Sequence, residues 1–234
     1  MNAEDQLERK GIIAAGNWIV DHVKVIDTYP DQDALSFILE QSKSNGGGPY
    51  NLLKDLVSLG ADFPLKASGL VGNDNDGDWI IKDCLANGID ASGLIKTNSA
   101  STSYTDAMSV LATGRRTFFH HEGANSLFND KDVDLEVDGI KYFYLGYLLL
   151  LESLDKVLDN GKTGASELLA KASKSGYTTI VDLVSAQLGD YRKELDRQFK
   201  NEKSNFQSLE THLEPSSTIY VLSKSEYGNL IVSG

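Results

Sequence analysis

Two short segments carry residue types and spacings suited to recognising a hydroxyl-rich small molecule. Gly16-Asn17 closes an apolar run, and Asp21 follows shortly after. An acid just past the end of a buried strand stands where open α/β sheets gather ligand contacts. Its carboxylate can accept hydrogen bonds from two neighbouring hydroxyls, although a strand-end turn would also use an Asp. The second segment is Gly46-Gly47-Gly48-Pro49-Tyr50-Asn51. Its glycines let backbone approach a ligand closely, and a helix starting there offers free N–H groups; a plain tight turn is the alternative. It is neither a dinucleotide fingerprint nor a Walker loop, because it lacks the G-x-G-x-x-G spacing and no Gly-Lys-Ser/Thr follows.

Two further segments bear on the same chemistry. Residues 69–78, Gly-Leu-Val-Gly-Asn-Asp-Asn-Asp-Gly-Asp, read as a strand that turns into a helix with acids in its first turn, which suits the helix dipole. Residues 113–125, Thr-Gly-Arg-Arg-Thr-Phe-Phe-His-His-Glu-Gly-Ala-Asn, read as one arm of a hairpin and its exit. His120 and His121 are adjacent on a strand, so they point to opposite faces and cannot share one metal ion. The single cysteine, Cys84, excludes an internal disulfide and reads as a small buried hydrophobe.

The elements that must position these residues follow from periodicity. Gly11 to Gly16, Leu65 to Val71, Lys141 to Gly146, Thr178 to Val184 and Thr218 to Leu222 predict buried strands. Tyr50 to Leu59, Asp74 to Asn87, a stretch reaching about Leu158, Ala165 to Ser175, Asp190 to about Lys200 and Phe206 to Leu213 predict helices. From residue 60 onward strands alternate with helices, which implies a parallel sheet covered on both faces. Asp21 to Asp27 and residues 102–121, the latter folded at Thr113-Gly114, break that rhythm and form a small side sheet.

Composition narrows the function classes. The 234 residues include 41% hydrophobic and 24% charged residues, enough apolar content for a sizeable core in one domain. A net charge of −12 argues against nucleic acid and anionic membranes as partners. Met1 to Lys10 lacks the apolar region of a secretory signal, and the apolar run from Tyr142 to Leu151 is too short to span a bilayer. The expectation is a cytoplasmic protein.

Taken in order, Gly-Asn…Asp, Gly-Gly-x-x-x-Asn, Gly-x-Val-Gly-x-Asp-x-x-Gly and a hairpin ending in Gly-Ala-Asn resemble the ribokinase-like PfkB family of small-molecule kinases, over nearly the whole chain. The resemblance implies an α/β fold, a ribokinase-like three-layer α/β/α sandwich with a small β-sheet lid, missing its C-terminal part. It treats residues 1–234 as one domain with lid strands at about 18–28 and 101–121. It makes Asp21 the acid that holds sugar hydroxyls, and Gly46, Gly47 and Asn51 the glycine-turn contacts. Thr105 with its neighbours Tyr104 and Asp106, then His121, Asn125 and Tyr147, become further substrate candidates. It also implies ATP and Mg²⁺ as cofactors, with Asp182 and Glu226 on their side of the site. The substrate would be a small carbohydrate or a nucleoside; ribose, fructose and 2-keto-3-deoxygluconate-like acids all suit the pocket residues. Family members often form a homodimer through the lid.

The sequence departs from the family in its chemistry. The second signature, Asp-Thr-x-Gly-Ala-Gly-Asp, supplies the general base and the anion hole, and it does not occur here. No catalytic residue is therefore assigned. Where the family carries Asn-x-x-Glu, this chain reads Ser225-Glu226-Tyr227-Gly228. The expectation is a carbohydrate-kinase relative that is inactive alone. The alternatives are a non-catalytic sugar-binding or regulatory module, or half of a split kinase. A Rossmann dehydrogenase is disfavoured by its glycine spacing.

Overall fold

The computed structural model describes residues 9–183, 221–225 and 228–232. Its main sheet is built outward from β1 (Gly11–Gly16), β4 (Leu65–Gly72) and β8 (Ile140–Leu148). β5 (Asp90–Thr97), β9 (Thr178–Leu183), β10 (Val221–Ser225) and β11 (Gly228–Val232) extend it. The order is β11-β10-β9-β8-β1-β4-β5 among the described residues. All neighbours are parallel except the terminal β10/β11 pair.

β1 shows why the sheet is covered on both faces. Its residues are all buried, and successive side chains leave on opposite sides. Ile13 and Ala15 enter a cluster with Phe143, Leu145, Leu168 and Ala172. Ile12 and Ala14 enter a second cluster with Leu53, Ile80, Cys84 and Tyr144. Helix α4 (Gly164–Lys174) supplies the first layer. Helices α1 (Gly48–Ser58) and α2 (Asn75–Ala86) supply the second. Each fully buried aliphatic side chain of this kind stabilises the fold by roughly 1.5–3 kcal/mol. The layers are those of the expected sandwich.

A separate small sheet has the order β3-β2-β6-β7, from β3 (Ile38–Gly46), β2 (Ile19–Ile26), β6 (Ser103–Val110) and β7 (Arg116–His121). β6 and β7 are antiparallel, as the Thr113-Gly114 signal predicts, and Gly114 takes a positive φ of 65°. β2 pairs with β6 in parallel, Asp21 opposite Thr105.

Three expectations are corrected. β3 and β5 are strands that the pattern did not reveal: β3 is exposed along most of its length, and β5 buries only Ala91 and Leu94. The stretch after β8 is not a long helix. β8 runs on to Leu148, and a single short turn, α3 (Glu152–Asp155), follows. Leu148, Leu151 and Leu154 are all buried there, so the apolar residues serve a tight core loop. The expected helices at 190–200 and 206–213 lie outside the described residues, as do Val184 and the first part of the expected 218–222 strand.

Candidate functional site

The site forms where β1 leaves the main sheet and β2 enters the small one. Gly16 has φ 123°, and a side chain there would strike the Gly146 carbonyl. Gly47 has φ 93°, and a side chain there would strike the Asn17 carbonyl. Glycine is required at both positions, by backbone conformation and by space. Together they bring the ends of β1, β3 and β8 into contact. Pro49 then fixes the first turn of α1, where a missing N–H costs nothing.

Asp21 stands over this bend. Its carboxylate lies against the Cα of Gly46, so any side chain at 46 would collide with it. Burial raises its pKa above the usual carboxylate range, partly offset by the charges of His22 and Arg116. None of the hydrogen bonds among the described residues reaches it. The Tyr147 ring lies against the Cα of Gly48. Burial and then the Asp182 charge raise the Tyr147 phenol, the Asn51 side chain lowers it, and Asp21 raises it again. Asp21, Gly46, Gly47, Asn51 and Tyr147 thus come together at the strand ends.

Asp182 closes the far side. Its Oδ2 accepts a hydrogen bond of 2.7 Å from Tyr144, a buried residue that sequence reasoning did not single out. Burial first, and then Asp182, hold the Tyr144 phenol well above its ordinary value. Glu226 lies outside the described residues. Among the described residues no group of three His, Cys, Asp or Glu is placed to hold a metal ion.

On the small sheet, the register sorts the other candidates by face. Asp21 lies opposite Thr105, and Thr105 opposite His120, so these three share a face. Thr105 Oγ1 and His120 Nδ1 are 2.8 Å apart, while His120 Nε2 is buried without a protein partner. Burial, and then His121, lower the His120 pKa. His121 is on the reverse face, with Tyr104 and Asp106. Its ring lies 5.0 Å from Tyr104, and Nε2 meets Ser101 Oγ at 3.1 Å. His120, not His121, is thus the histidine that shares the face of Asp21.

Asn125 spends its amide on backbone groups. It is fully buried, its Oδ1 accepts from the Trp18 N–H at 3.2 Å, and its Nδ2 donates to the Trp18 carbonyl at 3.0 Å. It ties the hairpin exit to the β1–β2 junction. Asp74 is likewise structural: it caps α2 through Gly77 N–H and accepts from the Thr102 N–H and hydroxyl, each at 2.7 Å. Asn17, beneath the glycine bend, is buried with neither side-chain polar atom partnered. Its place beside Gly16 was the available signal.

The sequence matches the description "pfkB family carbohydrate kinase" over residues 15–197. Solved structures agree in fold. A ribokinase from Giardia lamblia is 17% identical with a TM-score of 0.63, covering 95% of this chain and 72% of its own. A nucleoside kinase from Methanocaldococcus jannaschii is 16% identical with a TM-score of 0.59, covering 97% and 74%. A fructokinase from Xylella fastidiosa, solved with bound ATP, is 17% identical with a TM-score of 0.57, covering 82% of this chain; the chain spans only 58% of that enzyme's length.

Proposed function

From its membership of the pfkB family of carbohydrate kinases, to which this chain belongs, we propose that the Asp21 cleft binds a small carbohydrate or nucleoside under the small sheet, which acts as its lid. The observation that carries the reading is the convergence of Asp21, the Gly46-Gly47 bend, Asn51 and Tyr147 at the strand ends. A half-buried carboxylate without a hydrogen-bond donor from the protein suits a ligand that brings its own hydroxyls. Thr105, on the same lid face, adds a hydroxyl to the set. A lid serves phosphoryl transfer by keeping water from the reacting phosphate.

ATP and Mg²⁺ belong to the same proposal as the family's phosphoryl donor and its ion. Asp182, at the end of β9, is the described acid on that side of the cleft. With no group of three His, Cys, Asp or Glu placed as ligands among the described residues, Mg²⁺ would be held largely by nucleotide phosphates and water. The reading assigns no general base, because the sequence contains no Gly-Ala-Gly-Asp. Loss of a base alone removes roughly 10²–10⁴ in rate. These 234 residues are therefore read as binding substrate without meaningful transfer by themselves. That favours, as a second reading, a sugar-binding module or one half of a split kinase.

A cytoplasmic setting completes the proposal; no helix among the described residues is long and apolar enough to cross a membrane. Homodimerisation through the lid is supported by exposed Phe37, Ile38 and Leu39 at its β3 edge. Mass measurement in solution tests it, and a monomer at high concentration would discard it.

Calorimetry with ribose, fructose, 2-keto-3-deoxygluconate and adenosine tests the site. Binding by at least one of them, lost in Asp21→Asn, is expected; no heat from any ligand ends the reading. An ADP-release assay with Mg-ATP tests the second part, and robust turnover by the purified chain would overturn it.

A further inference from the structure

The lid face that carries Asp21 holds a cation that the proposed function has not used. Along β7 the residues sharing that face are His120, Phe118 and Arg116, opposite Thr105, Ala107 and Ser109. Arg116 and His120 are four residues apart, roughly 13–14 Å along an extended strand. Yet the Arg116 guanidinium lies over the Phe118 ring, 5.3 Å from its centroid, two residues nearer the lid base. Its charge is also among those felt by the Asp21 carboxylate. An exposed arginine on an edge strand gains most hydration by extending outward; this one turns back toward the cleft.

The arginine is also unpaired. Among the described residues Arg116, like most of the cations, forms no ion pair; only Lys24, Lys43, Lys66, Lys96 and Lys156 hold a carboxylate. Acids are not scarce: the chain has 34 Asp and Glu against 22 Lys and Arg. Glu40 on β3, the other carboxylate placed on this face, pairs with Val25 on β2 and lies three strand spacings (about 14 Å) from Arg116. Phe118 is 57% exposed beside the guanidinium, an apolar platform that fixes the cation before any ligand arrives.

We propose that Arg116 is a specificity-determining residue that recognises an anionic substituent, a carboxylate or a phosphate, on the hydroxyl-rich substrate held by Asp21. The inference rests on the substrate reading of the Asp21 cleft. It gives that ligand a direction: hydroxyls at the base of the lid against Asp21, and the charged end toward the tip, away from the like charge. A planar guanidinium fits either oxyanion in two-point fashion, which a lysine ammonium does not.

Calorimetry on the whole chain with matched pairs tests this: gluconate against sorbitol for the carboxylate, and fructose 6-phosphate against fructose for the phosphate. At least one anionic member should bind roughly tenfold or more tightly than its neutral partner. Arg116→Ala should abolish that advantage and leave the neutral partner's affinity unchanged, and Arg116→Lys should restore only part of it. The pair showing the advantage identifies which oxyanion is read. Neutral members binding as tightly as charged ones, in an Asp21-dependent manner, would overturn this inference alone; so would an advantage that survives Arg116→Ala. If no member of either pair binds and Asp21→Asn changes nothing, the substrate reading falls and takes this inference with it.

Discussion

Asp74 and Asp21 both follow a buried strand and both sit where the main sheet meets the lid, yet their surroundings are opposite. Asp74 receives hydrogen bonds from Gly77 N–H, Thr102 N–H and the Thr102 hydroxyl. Burial pushes its pKa up, but those bonds outweigh burial and hold it below the usual range. Asp21 has the burial without the bonds, and its pKa rises. The fold uses the charge of Asp74 internally. It leaves the charge of Asp21 as a cost that a ligand can repay. Between two similar acids in one motif-rich sequence, hydrogen-bond satisfaction separates architecture from function.

The largest test of this contrast removes the satisfied acid. Asp74→Ala loses a helix cap and two further hydrogen bonds to Thr102, just before the lid strand β6, and should destabilise the protein by about 2–3 kcal/mol. Urea denaturation measures it. A loss within error of zero would erase the distinction between the two carboxylates.

Asp21→Asn should do the reverse. A carboxyl whose folded pKa is raised contributes stability below its unfolded pKa of about 3.9 and loses it as pH rises through the folded value. At neutral pH the ionised Asp21 is therefore a net cost. The Asn variant should melt higher than wild type at pH 7, and the gap should close toward pH 4. Ligand affinity should fall roughly tenfold to a hundredfold. Wild-type affinity should also weaken with acidification sooner than an ordinary carboxylate would dictate. A variant that melts lower at pH 7 would show that Asp21 is held by the protein after all.

Asn125→Ala extends the comparison to a neutral group. Its amide is spent on the two backbone groups of Trp18, so the variant orphans a buried N–H and C=O and should cost roughly 1–3 kcal/mol. Thermal unfolding reads that loss. A change in ligand affinity at full retained stability would instead count Asn125 among the ligand contacts.

Much of this geometry was legible in the sequence because it rests on local constraints. The apolar runs at Gly11 to Gly16 and Leu65 to Gly72 announce buried strands, and the Gly46-Gly47 bend announces a close approach. What the sequence hid depends on partners far away in the chain. β3 carries no clear strand pattern because most of it lies exposed at the lid edge, and nothing in Ile38 to Gly46 encodes its pairing with β2. The separation of His121 from the Asp21 face has a subtler cause. In the β6–β7 hairpin, paired residue numbers sum to an odd value, as in Thr105 with His120. Thr105 and His121 therefore cannot share a face. That parity was available once the turn was placed, but which face holds Asp21 follows only from the β2–β6 register.

His120 offers the finest test, because it combines both conditions in one ring. Nδ1 is satisfied by Thr105 as Asp74 is satisfied by its donors, while Nε2 is buried without a partner, closer to the condition of Asp21. Burial, with His121 adding to it, lowers its pKa, so the folded protein holds the ring neutral. A depressed imidazole contributes stability above its unfolded pKa of about 6.5 and loses it as pH falls through the folded value. Wild type should therefore lose melting temperature on acidification below about pH 6.5 in a way that His120→Gln, which cannot take up a proton, does not. Melting curves of both proteins at stepped pH measure the difference in slope. Parallel curves would mean that the ring becomes protonated without resistance from the fold, and that the unpartnered nitrogen is not in the dry environment that the lid face gives it.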